Sequence, residues 1–413
     1  MEQTLNSPDA AASRAPGTPA SPPASDVVVI GGGAIGLASA WKASRAGMSV
    51  ALVDPAPGRG ASWMAAGMLA PVTEAHYGEE ALLALGLAAA GQWPPFAAEL
   101  EEATGMDVGY LRCGTLLAAF DEDDREAAHE LYELQRSLAL DVDWLVGSKA
   151  RELEGNLAPG VRAALWARHD HQVRTRALVA ALEAACHHEG TRFVTDKAVE
   201  LLTSAGSVSG VRLASGGELA ATRVVIAAGC WSGGIAGVPE GALPPLRPVK
   251  GQIIRLAPPP TSGASPQGVT WRLIGRTVRG IVMGAPIYLV PRSDGSVLLG
   301  ATSEELGFDT SVTAGGLHDL LRRAHRLVPG VSEMVLVDAS AGLRPATPDN
   351  APVLAASGAG SGVDGLIVAT GHYRNGILLT PISAVAVAAW LTGSEPPAAI
   401  LPFGAERFGV GAH

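Results

Sequence analysis

The sequence predicts an α/β fold with a parallel nucleotide-binding sheet and a second, antiparallel sheet, on three observations. First, the β-branched run Asp26–Ile30 meets the turn Gly31-Gly32-Gly33-Ala34-Ile35-Gly36. A helical pattern follows to Ala46, and then a strand-like run over Ser49–Val53. That order is strand, glycine turn, helix, strand. Second, the order recurs late in the chain, where Leu366–Thr370 leads through GHYRNG into apolar helical spacing over Ile377–Leu391. Third, strand-like runs crowd together at Gly251–Leu256, Arg279–Met283, Ile287–Pro291 and Ser296–Gly300. No long helical pattern separates them, which favours antiparallel pairing.

The first unit reads as a Rossmann-like dinucleotide cradle. Gly31 permits the tight turn, Gly33 lets backbone approach a pyrophosphate, and Gly36 allows close packing of helix on strand. The helix start at Ala34 and Ile35 offers N–H groups and the positive end of a dipole to an anion. Asp54 ends the second strand, where a carboxylate accepts bonds from a ribose diol and repels a 2′-phosphate. The unit alone leaves FAD and NAD both open.

With 413 residues, 47% of them hydrophobic, the chain suits two domains or one large discontinuous one. The net charge of −10 and the absence of a basic stripe argue against a nucleic-acid partner. Cys113, Cys186 and Cys230 are too far apart to suggest a metal motif or a disulfide framework. A reducing, cytoplasmic setting fits. Residues 1–25 are Ala/Pro/Ser-rich and read as a disordered tail without a secretory apolar stretch. The apolar run from Val27 stops at Gly31, short of a membrane span, so no membrane insertion is expected.

Between these landmarks, Leu82–Ala103 reads as a helix interrupted at Gly91 and Pro94–Pro95. Gly109–Phe120 reads as strand and turn, and Asp121–Leu140 as a charged amphipathic helix. Val173–His188 has helical spacing, with His187 and His188 at its exposed end. Arg192–Leu202, Val208–Leu213 and Arg223–Ala227 read as strands, and Gly315–Val328 as a helix. Pro258–Gly268 is a polar Pro/Ser-rich loop, and Cys230 reads as a packing residue.

GGGAIGLASAW with Asp54, ASWMAAGMLAP at Ala61–Pro71, SAGLRPATPDNAPVLA at Ser340–Ala355 and ATGHYRNGILLTP at Ala369–Pro381 together resemble the D-amino-acid oxidase / glycine oxidase family. Within it, the resemblance is to the glycine oxidases of thiamin biosynthesis, and it spans nearly everything after the tail. It implies FAD as cofactor. Ser62, Ala65, Ala66, Gly67 and Met68 would pass near the pyrophosphate and ring. Val199 would contact adenine through its backbone. VVIAAGCWS would place Ala228, Gly229 and Trp231 on the cofactor. His372, Arg374, Asn375, Gly376, Ile377 and Leu378 would close over the flavin. No cysteine lies in Ser340–Thr347, where related sarcosine oxidases attach flavin, so noncovalent FAD is expected.

The resemblance also implies interleaved domains. The FAD-binding parts would be 26–108, 170–246 and 337–400. The smaller α+β substrate domain would be 109–169 and 247–336, and 401–413 a C-terminal tail.

On their own, Arg344, Tyr288 and Arg374 read as exposed or packing residues. The resemblance assigns Arg344 to the carboxylate of an amino-acid substrate, a task for which a planar guanidinium is suited. It gives Tyr288 a hydrogen bond to the same carboxylate and puts Arg374 at the pocket mouth. Ser303 departs from a methionine in the family's best-studied form, which puts substrate preference in doubt. The implied reaction is oxidative deamination of glycine or a similarly small amino acid by hydride transfer to FAD. Reoxidation by molecular oxygen gives hydrogen peroxide, and the imine yields glyoxylate and ammonia or serves thiazole formation. A D-amino-acid oxidase, a sarcosine or amine oxidoreductase, and a non-enzymatic nucleotide-binding protein are the alternatives. A homo-oligomer, such as a tetramer, is also implied.

Overall fold

The computed structural model describes residues 24–260, 271–282, 284–356 and 362–409. All but the last two residues of the expected N-terminal tail, most of the Pro258–Gly268 loop and the last four residues of the chain lie outside the described residues.

β1 (Ser25–Ile30), α1 (Ala34–Arg45) and β2 (Val50–Val53) form the expected opening unit. The strands run parallel, with Val27 opposite Val50 and Ile30 opposite Val53. A short α2 (Ala61–Met64) and β3 (Met68–Leu69) follow, and then α3 (Glu80–Thr104). The expected interruption of this helix is not there: it runs on through Pro94 and Pro95. A proline in a helix interior costs about 3 kcal/mol. Burial offsets that here, because Leu85, Trp93, Phe96 and Leu100 are sealed in the core. The Trp93 indole N–H also donates to the Leu378 carbonyl at 2.8 Å. By length and composition α3 is apolar enough to cross a membrane.

β4 (Thr115–Ala119) leads to α4 (Glu122–Ser137), shorter than expected at both ends. Its start is set by a capping box, in which Asp121 accepts the Asp124 N–H and Asp124 accepts the Asp121 N–H. β5 (Asp143–Val146), α5 (Gly147–Leu153), β6 (Ala163–Ala167), β7 (His171–Gln172) and α6 (Thr175–His188) come next. The expected strand Arg192–Leu202 is two, β8 (Arg192–Val194) and β9 (Ala198–Ser204). They part because they serve different neighbours: β8 pairs with β2, and β9 turns into a hairpin with β10 (Ser207–Leu213).

β11 (Glu218–Ile226), β12 (Arg247–Ala257), β13 (Thr277–Val282), β14 (Ala285–Pro291) and β15 (Val297–Gly300) precede α7 (Ala314–Leu327). The remainder is β16 (Val335–Ala346), β17 (Val353–Ala356), β18 (Leu366–Thr370) and α8 (Thr380–Thr392).

Two large sheets result. The first has the order β17-β18-β11-β1-β2-β8, with the β9–β10 hairpin continuing from β11. From β18 to β8 its strands are parallel, so the carboxyl ends of β2, β1, β11 and β18 emerge along one edge. One core packs α1, α3, α6 and α8 on one face, with Leu37, Trp41, Leu182 and Val387 fully buried. A second core fills the other face from Val28, Ile30, Val211 and Ile226.

The second sheet has the order β16-β12-β15-β14-β13-β4-β6-β5. One junction departs from the antiparallel expectation: β13 and β4 are parallel. The long stretch of chain between them supplies the crossover that a parallel pair requires. The two-residue period of the strands sorts the faces. Ile254, Leu256, Ile287, Leu289 and Val278 pack outward under Leu320, Ala324 and Leu327 of α7. Gly251, Ile253, Tyr288, Arg279 and Arg344 face the first sheet instead. Buried Arg292 bridges the two layers, donating to the carbonyls of Ala66 at 2.6 Å and Val173 at 3.1 Å.

Candidate active site

A single cavity of about 790 Å³ runs from the carboxyl ends of the parallel strands to the inner face of the second sheet. Ligands in open α/β sheets sit at such ends, because the loops there diverge and leave a crevice. Gly31 after β1, Asp54 after β2, Ala227 and Ala228 after β11, and Gly371 after β18 all line it.

The nucleotide end is built as the glycine pattern requires. Gly31 has φ +105°, and a Cβ there would stand 2.5 Å from the Ala227 carbonyl oxygen. A Cβ on Gly36 would overlap the Gly31 carbonyl oxygen. Gly36 is therefore a packing residue beneath the cavity rather than part of its lining, whereas Gly33, Ala34 and Ile35 do line it. Asp54 is fixed by backbone: Oδ2 accepts the Gly32 N–H at 2.6 Å and Oδ1 accepts the Ala56 N–H at 2.7 Å. Each carboxylate oxygen keeps a further lone pair for a ribose hydroxyl. The helix start is less free than expected, since Ala34 N–H donates to Ser62 Oγ at 2.9 Å. That hydroxyl thereby joins the rim of the anion site.

Ser62, Ala65, Ala66, Gly67 and Met68 line the cavity, as do Ala228, Gly229 and Trp231. Trp231 is half exposed, with its ring against Phe308. Val199 does not line it; Lys197 and Ala198 do, and the Val199 carbonyl accepts the Ala236 N–H at 2.9 Å. The strand pairs there with the segment around Ala236, which takes one of the two lone pairs of that carbonyl. Cys230 touches the cavity, but burial pushes its thiol up to about 12, so it stays a neutral packing group.

His372, Arg374, Asn375, Gly376, Ile377 and Leu378 form the opposite wall. Their turn is pinned to the end of β16: Tyr373 N–H donates to the Pro345 carbonyl at 2.9 Å, and Ala346 bridges to His372. Arg374 and Arg344 thus reach one region from distant parts of the chain. His372 is buried, with Nε2 3.0 Å from Ser383 Oγ, and burial holds its pKa down at about 3. It is neutral at working pH.

At the far end Arg344 lies along Gly251, where any Cβ would collide with the guanidinium. Its Nη1 donates to the carbonyls of Thr302 at 3.3 Å and Lys250 at 3.4 Å. Tyr288 lies across Gly300 in the same way, directly opposite it in the sheet. Burial raises the Tyr288 pKa, against the pull of Arg344, so the phenol remains a hydrogen-bond donor. Ser303 lines the cavity beside Thr302. Sequence reasoning missed Thr73, Glu74 and Arg279 here, as well as His76 and Thr302. The alternation of β13 held a signal, because Arg279 is the basic residue of a strand that is otherwise mostly apolar.

A family profile for FAD dependent oxidoreductases matches residues 26–390. The chain belongs to that family. FAD is the cofactor of this oxidoreductase, and the glycine cradle, Asp54 and the wall 372–378 fit it. The chain is 34% identical to a glycine oxidase of Geobacillus kaustophilus over 386 residues, covering 92% of this chain and 97% of that protein. The crystal structure of glycine oxidase from Geobacillus kaustophilus superposes with a TM-score of 0.82 at 33% identity, over 93% of this chain and 98% of that one. The bifunctional protein ThiO/ThiG of Trichormus variabilis is 33% identical over 93% of this chain, but the match covers only 55% of that protein. The chain thus spans about half the length of the ThiO/ThiG proteins it matches. Among the described residues no cluster of His, Cys, Asp or Glu has the arrangement of a metal site.

Proposed function

We propose that the protein is a glycine oxidase that deaminates glycine and similarly small amino acids and supports the thiazole branch of thiamin biosynthesis. The observation that carries this is the placement of Arg344 and Tyr288 in one cavity with the dinucleotide cradle. Arg344 supplies a planar cationic fork for a carboxylate, and Tyr288 adds a neutral donor to it. Fixing the carboxylate orients the α carbon, and such positioning supplies much of the rate gain in a reaction that has no obligatory side-chain base. FAD, when bound, supplies the hydride acceptor and the route to oxygen, with hydrogen peroxide as product. The free imine then yields glyoxylate and ammonia. Ser303 lines the same cavity and is the first residue to vary in a test of preference among glycine, sarcosine and D-alanine.

The test is anaerobic mixing with glycine while the visible flavin band is recorded. The expected result is bleaching, with recovery and peroxide release on admission of oxygen. Bleaching by D-alanine or sarcosine but not by glycine would move the substrate assignment within the family. A band unchanged by every small amino acid would overturn the reading.

We further infer a cytoplasmic homo-oligomer without membrane insertion. The three cysteines are free thiols, and Leu85, Trp93 and Phe96 of α3 are turned into the core. Val335, Leu336 and Val337 are exposed on β16, an edge strand of the second sheet. Exposed apolar edges are commonly covered by another chain. Light scattering is expected to give a multiple of 42.0 kDa, such as four. A monomer mass at micromolar concentration would contradict it.

A further inference from the structure

The substrate end of the cavity holds one carboxylate, Glu74, for which the sequence reading has no role. Among the described residues that line the cavity, Asp54 and Glu74 are the only acids. Asp54 sits at the nucleotide end with both oxygens on backbone N–H groups. Glu74 sits by the second sheet, where one row crosses four strands: Gly300, Tyr288, Arg279 and Leu117.

Arg279 and Glu74 form an ion pair, Nη2 to Oε1 at 2.6 Å, with side chains only 13% and 17% exposed. Arg279 Nη1 also donates to the Thr73 carbonyl at 3.1 Å and to Thr73 Oγ1 at 3.0 Å. Thr73 is held in turn by fully buried Asp170, which accepts its N–H and its hydroxyl, each at 2.7 Å. Asp170 also accepts the Val72 N–H at 3.1 Å. The carboxylate of Glu74 is therefore fixed in place, while its Oε2 has no hydrogen bond among the described residues. Glu74 lines the cavity together with Tyr288, and its ion-pair partner Arg279 lies directly opposite Tyr288 in the sheet.

An amino acid presents two groups to such a cavity, a carboxylate and an amine. Arg344 and Tyr288 account for the first. We propose that Glu74 accepts the hydrogen bond of the substrate's amino group, and that Arg279 is the positioning residue that aims it. This rests on the amino-acid oxidase reading above. Because Arg279 draws on one oxygen, the carboxylate accepts a bond without standing as an uncompensated charge in a low-dielectric site. The pair also favours ligands with a donor on the α carbon over simple carboxylic acids, which have none.

The experiment uses the FAD-loaded E74Q protein. Its side-chain amide keeps the shape but can turn a donor toward the amine. We expect the visible flavin band to be retained and KM for glycine to rise ~10- to ~100-fold, the scale of one lost hydrogen bond to a charged group. The Kd of acetate, followed by its perturbation of the flavin spectrum, should stay within about twofold of the wild-type value, since acetate carries no donor on its α carbon. E74D should recover part of the glycine KM with the same acetate Kd. Equal weakening of glycine and acetate, or a wild-type glycine KM in E74Q, would overturn the proposal. If E74Q fails to hold flavin, E74D decides by the same comparison of glycine with acetate. A wild-type protein whose flavin no amino acid reduces would instead sink the functional reading.

Discussion

Replacing Arg344 by alanine is expected to lower kcat/KM for glycine by ~30- to ~4,000-fold while FAD stays bound. The guanidinium lies along Gly251 and is held by the Thr302 and Lys250 carbonyls, so it meets a ligand without reorganising. Removing one partner of a buried, hydrogen-bonded charge pair costs about 2–5 kcal/mol, and each 1.4 kcal/mol is about tenfold. Lysine in its place should recover little of the loss, since a point charge cannot make the two parallel bonds of a planar fork. Stopped-flow reduction of the flavin by glycine measures the effect, and the visible band checks the cofactor. Undiminished glycine kinetics in R344A would remove Arg344 from the site.

Valine at position 36 is expected to yield protein without bound FAD. Its Cβ would overlap the Gly31 carbonyl oxygen. Gly31 cannot yield, because it is itself wedged against the Ala227 backbone across β1 and β11. Forced overpacking costs about 1–3 kcal/mol even where side chains can adjust, and here backbone meets backbone. Alanine at position 33 makes the contrast. A Cβ there would meet only Ser62 Oγ, at 3.4 Å. G33A should fold with a near-normal urea midpoint and lose FAD affinity because it fills the approach to the pyrophosphate. The ratio of flavin to protein, with unfolding midpoints for both variants, separates the two cases. Full flavin content in G36V would refute the packing argument.

The nucleotide end was legible in the chain because its determinants are local. Strand, glycine turn, helix and acid follow one another within thirty residues. Arg344, Tyr288 and Arg374 were found through motifs, not spacing, and nothing local connects β14, β16 and the turn after β18. Where local reading failed, a tertiary neighbour had overruled it. Pro94 and Pro95 stay inside α3 because Trp93 and Phe96 are buried against other helices. Arg192–Leu202 splits because its halves join different partners.

The sequence by itself determined the two strand–turn–helix units, the alternation that gives each strand an inner and an outer face, and the glycines on which backbone must pack. These follow from backbone sterics and side-chain period, which act over a few residues. Only the tertiary structure decided which inner faces meet. Arg279 faces Tyr288 because of the register between β13 and β14, and Glu74 faces Arg279 because Asp170, nearly a hundred residues later, holds the segment that carries it. Such pairings depend on burial and on charges brought together from afar, and no window of sequence contains them.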